Sequence, residues 1–386
     1  MAFDLIEWLN LGLRWLHLVA GIAWIGSSFY FVWLDNHLRA PAEGAASGEL
    51  WSVHGGGFYH NQKYQVAPAQ MPEQLHWFKW EAYFTWISGF SLLVLIYYVG
   101  AASFLVDPAK AALSPAQGTA IGLASLAVGW LVYDLLCRSP VGLSNFALGA
   151  FWFACLLFAA SLLDSLFNAR AAYMHVGAII GTVLVANVFF IIIPNQRKVV
   201  ADLTAGRTPD PALGAAAKQR SLHNNYMTLP VLFIMISHHY PMTYGAGRPW
   251  LVLALLGLTG VAVRHVFNLR GRGRPTGWAI LLAAALALAS VTYVTLEKGR
   301  VAAGPAEAVT YAEIAPILAT HCAACHSVSP PPRGVALDSF EHARAASARI
   351  KAVAVDTQVM PLGNPTGMTE AERQRLGAWI AAGSPR

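Results

Sequence analysis

The feature that most constrains this chain is a series of eight apolar runs, each close to the roughly 18 to 25 residues that carry a helix across a bilayer. They lie near 9–34, 81–100, 117–137, 145–166, 171–194, 222–240, 249–268 and 277–296. Inside hydrocarbon every backbone N–H and C=O must be paired within its own segment, so runs of this length are read as helices. Composition agrees: 56% of the residues are hydrophobic and only 12% charged, about half the charge of an ordinary soluble domain. The expected fold is therefore all-α. An eight-helix polytopic membrane bundle occupies 1–296, a short linker 297–308, and a small C-terminal domain 309–386.

Loop charge sets the orientation. The odd-numbered loops hold twelve Lys and Arg residues, whereas the even-numbered ones hold only Lys110, Arg170 and Arg248. Because basic loops stay on the cytoplasmic side, both termini are expected on the periplasmic side of a bacterial inner membrane. The formal charge of +6 follows from the same bias and gives no reason to expect a nucleic-acid partner. The first residues, "MAFDLIEW", lack the basic start of a cleaved signal peptide.

The polar tail carries the sharpest motif, Cys-Ala-Ala-Cys-His at 322–326. Two thiols at this spacing, with a histidine directly after the second, suit covalent attachment of a c-type haem through Cys322 and Cys325, with His326 on the iron. A thioredoxin-like or zinc Cys-x-x-Cys would need a βαβ unit or a second ligand pair, and the sequence offers neither. Met360, Met368 and His342 are candidates for the sixth ligand. Met360 is preferred, because "VMPLGNP" is an extended Met-Pro turn able to present sulfur, and thioether ligation raises the reduction potential. Thr369 and Glu372 form a capping-box pattern ahead of a terminal helix that ends at Gly383.

Most of the 13 histidines precede residue 297, an unusual load for so apolar a stretch. Ionisable groups at membrane depth are costly and point to function. The expected topology sorts them into an outer layer of His17, His175, His238 and His239, and a cytoplasmic layer that includes His54, His60, His76, His223 and His265. His17 and His175 are candidates for a second redox centre, a b-type haem or another redox metal. His238 and His239 are read as hydrogen-bonded between helices or reaching for the interface, Arg264 as a side chain reaching for the membrane surface, and Asp134 and Asp164 as carboxylates at span ends. The first loop, with "WSVHGGGFYHNQKYQVAPAQMPEQLHWFKWEAYFTW", is long for a connector and suggests a site or a re-entrant segment.

Together, "LRWLHLVAGIAWIGSSFYF", "VHGGGFYHNQKYQVAP", "LHWFKWEAYFTWISGF", "SLHNNYMTLPVLFIMISHHYP" and the CAACH tail with "MPLGNPTGMTEAER" resemble the membrane-bound urate hydroxylase (urate oxidase) family of bacteria, along essentially the whole chain. The resemblance implies oxidation of urate to 5-hydroxyisourate in purine catabolism. Electrons would pass to the fused cytochrome c domain, and then to a downstream cytochrome or terminal oxidase, without direct use of dioxygen. It also implies Cys322, Cys325, His326 and Met360 as the haem residues.

Urate is a planar anion, so its site should pair a cation with amides and an aromatic face. Gln62, Lys63, Gln70, Asn224 and Asn225 are the candidate binding residues, and His76, His223 and His265 the candidate bases. Two rival readings share parts of the pattern. One is a membrane electron-transfer subunit without urate chemistry. The other is a different haem-dependent membrane oxidase, because "LRWLHLVAGIAWIG" is also similar to a haem-binding membrane protoporphyrinogen oxidase.

Overall fold

The computed structural model describes residues 2–41, 46–64, 72, 74–240, 242–302, 309–329, 331, 334–356 and 358–386. The first part comprises α1 (Ala2–His37), β1 (Gly48–His54), β2 (Gly57–Lys63), α2 (Trp80–Leu93), α3 (Ala101–Phe104), α4 (Pro115–Arg138), α5 (Asn145–Leu166), α6 (Ala169–Ala186), α7 (Ile193–Thr204), α8 (Pro211–Ser237), α9 (Pro249–Gly271) and α10 (Gly277–Ala302). The tail adds α11 (Tyr311–His321), α12 (Ala323–His326), α13 (Phe340–Ala345), α14 (Ser347–Ile350) and α15 (Glu370–Ala381).

Local chemistry starts these helices where they start. Ser114 caps α4 in a reciprocal box with Gln117, Asp210 accepts from the N–H of Ala212 at the head of α8, and Pro115, Pro211 and Pro249 occupy first-turn positions where no N–H is needed. Two helices continue through π turns, α2 at Val94–Tyr98 and α6 at Asn187–Ile192. The second turn keeps α6 and α7 one helix from Ala169 to Thr204 while inserting a residue that re-aims Asn187 into the bundle.

All eight expected runs are helical, but among the described residues only six helices are both long and apolar enough to cross a membrane. The exceptions, α2 with its π turn and α8, fall short in hydropathy. For α8 the reason is plain: Arg220, His223, Asn224 and Asn225 are buried inside the protein, against neighbouring helices and not lipid. The helix also begins at Pro211, well before the expected span, and Arg220 is buried inside the bundle, so it is no surface charge of the fifth loop. Removing it leaves eleven odd-loop cations against three, and the bias stands.

The first loop departs from an all-helical chain. Gly48–Lys63 forms an antiparallel hairpin in which Trp51 stacks on its cross-strand partner His60 at 4.1 Å, and residues 65–71 and 73 of the loop lie outside the described residues.

Helix α6 is the centre of the bundle, buried along almost its whole length. Glycines let its neighbours approach: a Cβ on Gly129 of α4 would lie 2.5 Å from Ile179 Cγ2, and one on Gly177 would lie 2.6 Å from Ile234 Cγ2 of α8. Small residues at such crossings are how membrane helices gain van der Waals contact. The tail builds its own hydrophobic cluster from Ile314, Leu318, Leu376 and Trp379, among others. The expected capping box forms there, with Thr369 and Glu372 bonded reciprocally, and Gly383 adopts a φ of 87° after α15.

Candidate functional site

The site grows from α8. Arg220 donates from Nη2 to Asp134 Oδ1 at 2.7 Å and from Nη1 to Asn187 Oδ1 at 3.1 Å. Asn187 in turn donates to Asn224 Oδ1 at 2.8 Å, and Asn224 donates to the Leu184 carbonyl at 2.9 Å. One continuous polar chain thus joins α4, the π turn of α6 and α8. Asp134 is therefore the counter-ion of a guanidinium inside the bundle, not a free carboxylate at the interface; a buried cation needs such a partner. Asp164 does stay at the surface, bonded to Lys110 at 2.7 Å.

A second polar set sits on the next face of α8. Asn225 Oδ1 accepts from Arg264 Nε at 3.0 Å and from Asn268 Nδ2 at 2.9 Å, both one turn apart on α9. Arg264 does not reach the membrane surface as expected: it is 6% exposed, with its guanidinium 3.7 Å over the ring of Phe29. Delocalised and weakly hydrated, a guanidinium tolerates this better than an ammonium would.

Alongside these groups runs a cavity of about 2020 Å³ between α1, α2, α6, α8 and α9. It exceeds the roughly 300–1,000 Å³ that one small ligand occupies. Among the described residues, five cations line it, Arg14, Lys63, Arg170, Lys218 and Arg272, against the one carboxylate of Asp35, which pairs with Lys63 at 2.7 Å. The charge of the walls suits an anion. One end meets Arg14, His17, Arg170, His238 and His239, the other Lys63, His76, Asn268 and Arg272.

The candidate residues separate accordingly. Lys63, His76, Asn224 and Asn225 line the cavity, whereas Gln62 only accepts from the Tyr64 hydroxyl at 2.8 Å on the hairpin. Gln70 lies outside the described residues. His223 is turned toward Tyr133, 6.1 Å between ring centroids, and His265 toward Tyr226 and Trp278, so neither reaches the cavity. The 3.6-residue period explains this: 224, 225 and 228 share the cavity side of α8, and 223 falls off it.

His17 and His175 are not brought to a common space. His17 is on the cavity wall, with Nδ1 donating to the Thr85 carbonyl at 2.9 Å and Nε2 left open. His175 is fully buried away from it, with Nδ1 at 2.8 Å from the Ala171 carbonyl and Nε2 at 3.2 Å from the Tyr98 hydroxyl. Both ring nitrogens of His175 already have protein partners. His238 lies on the cavity wall with Nε2 3.5 Å from Arg14 Nη1 of α1, a contact between helices.

In the tail, the donor set fits a c-type haem. Cys322 and Cys325 are free thiols at either end of one helical turn, and His326 Nδ1 donates to the Val335 carbonyl at 2.8 Å, which leaves Nε2 available to iron. Cys322, Val335 and Met360 border the apolar cluster, as a hydrophobic macrocycle requires. Of the other sixth-ligand candidates, Met368 is only 1% exposed and serves the core, while His342 pairs with Asp338 at the surface.

The segment bearing Met360 lies against the bundle. Asn364 Nδ2 donates to Asp107 Oδ1 at 2.9 Å, and Gly363, at a φ of 72°, abuts the backbone of Ser103. Val106 pairs with Phe167, whose ring centroid is 5.2 Å from that of His175. The tail therefore sits at the end formed by the even-numbered loops.

Six helices long and apolar enough to cross a membrane among the described residues, a polar interior and a cation-lined cavity define an integral membrane protein with a large internal cavity. The chain belongs to the family described as Urate oxidase N-terminal, which matches residues 4–295 and so covers the whole bundle. It is a urate-related oxidoreductase of the membrane. Comparison with curated proteins and with solved structures returned no match.

Proposed function

We propose that this protein is a urate hydroxylase that converts urate and water to 5-hydroxyisourate, releasing two electrons and two protons, with the electrons leaving through a haem held by Cys322, Cys325, His326 and Met360. The haem, when bound, supplies a one-electron acceptor. Urate occupies the cavity, drawn by its cationic walls, with amide partners on α8 and α9. Lys63 and His76 flank one mouth, where His76 is placed to take up a proton. Water adds to the oxidised purine in the same space.

The observation that carries this reading is the contact of the Met360 segment with Ser103 and Asp107, because it sets the haem-attachment tail directly on the domain that holds the cavity. Loop charge supports a cytoplasmic face for the odd-numbered loops, a periplasmic face of the inner membrane for the tail, and a downstream cytochrome or terminal oxidase as acceptor. The test is anaerobic addition of urate to the purified protein. Reduction of the c-type haem spectrum is expected; a haem that dithionite reduces and urate does not would end the proposal.

A further inference from the structure

We infer that Asn225 and Asn268 together form the seat for a lactam edge of the oxopurine, a binding site for the pairing of one ring N–H with its adjacent C=O. The inference rests on the urate reading of the cavity and names the groups that recognise the substrate there.

The two side chains are 1% and 4% exposed, yet among the described residues Asn225 Nδ2 and Asn268 Oδ1 have no hydrogen-bond partner. Groups buried to this degree are almost always satisfied, so an unpaired donor next to an unpaired acceptor marks a place where something binds. Their orientation is fixed by what surrounds them. Turning the Asn225 amide over would set its NH₂ against the N–H of Arg264 and the NH₂ of Asn268, donor against donor. Turning Asn268 would set two carbonyl oxygens together. The network thus leaves the Asn225 NH₂ and the Asn268 C=O unpaired, both groups covered but on residues that line the cavity.

That pattern is the complement of a lactam, in which N–H and C=O are neighbours on one ring edge. Urate presents such edges on both rings. Arg264, donating to Asn225 Oδ1, polarises the amide and strengthens its remaining N–H as a donor to a carbonyl oxygen that carries part of the urate charge. Arg272, the C-cap of α9 one turn beyond Asn268, and Lys218 add positive potential at this end of the cavity. A site whose buried polar groups are left unpaired by an analogue rejects it more strongly than an apolar wall would.

Binding is measured by equilibrium dialysis of radiolabelled urate against the full-length protein in detergent, separately from haem reduction. Asn225→Ala and Asn268→Ala should each weaken urate at least about tenfold, with haem absorbance and gel-filtration profile unchanged. On the unaltered protein, competition by the four mono-N-methylurates needs no variant. At least one should bind about tenfold more weakly than urate, because its methyl group occupies the N–H that Asn268 accepts, and Asn268→Ala should erase that difference. Urate affinity within twofold in both variants, or four methylurates that compete as well as urate, would show that the amides hold only water and would overturn the seat. Protein that binds urate in this pattern but leaves its haem oxidised would sink the electron-transfer reading alone.

Discussion

Asn364 donates to Asp107 at 2.9 Å, and this one bond joins the segment that carries Met360 to the loop between the second and third expected spans. Asn364 is 3% exposed and is also tied to Met368, donating to its carbonyl and accepting from its N–H. The tail's own framework therefore presents the docking group, and the bundle supplies the carboxylate.

Asp107→Ala should slow urate-driven haem reduction several-fold while leaving dithionite reduction and the haem spectrum as they are. Asn364 is the worse position to alter, since its loss also frees two backbone groups of Met368. Stopped-flow absorbance of both reductions checks this, and equal slowing of the two would place the defect in the haem pocket instead. Gly363→Ala should have a larger effect, because a Cβ there meets the Ser103 backbone and sits on a residue with a φ of 72°.

Met360→Ala should lower the haem reduction potential while the haem stays covalently bound through Cys322 and Cys325. Met368→Ala should instead lower the thermal midpoint, because that side chain is a core residue of the tail. Potentiometric titration of both variants separates the roles; a larger potential drop in the Met368 variant would reverse the assignment.

Arg220→Met strands Asp134 in a part-buried site and removes the donor to Asn187, a loss on the order of 3 kcal/mol that thermal unfolding in detergent should reveal. Joining it to Asp134→Leu should restore much of that loss, since removing both partners leaves no uncompensated charge. Arg138, which also bonds Asp134 at 2.7 Å from a more exposed position, limits the damage in the single variant.

Stability of the tail should fall with acid. Hydrogen bonds from the N-cap backbones of Thr310 and Thr369 hold the carboxyls of Glu313 and Glu372 below their ordinary value of 4.5. A carboxyl whose folded value is depressed contributes fully above its unfolded value, and that contribution is lost as pH falls from about 4.5 through the folded value. Circular dichroism during acid titration checks it, and Glu372→Gln should flatten the response. Thr369→Ala, which removes the cap, should cost about 1 kcal/mol at neutral pH.

Much of the fold was legible because two signals in it are local. Runs of apolar residues define membrane helices, and the bias of Lys and Arg between loops orders them, so the even-numbered loops and the tail were expected at one end, where Asn364 and Asp107 meet. The CAACH motif and the Thr369 capping box are likewise contiguous patterns. The polar interior was harder to read. Asp134 and Arg264 sit near span ends, where a surface position is the ordinary outcome, and only packing shows that each has a buried partner. The one available signal was the low hydropathy of α8, too polar to face lipid on every side and therefore bound to face other helices.

By itself the sequence determined the helical membrane architecture and pointed to the residues able to hold a haem, because backbone pairing in hydrocarbon and a five-residue motif act over short stretches of chain. Only the tertiary structure decided which polar side chains share a space. It turned His223 and His265 away from the cavity, paired both nitrogens of His175 within the protein, and brought Asn225 and Asn268 together with an unpaired NH₂ and an unpaired C=O. Those outcomes depend on the rotation of each helix about its axis, and that rotation is set by packing against neighbours distant in sequence.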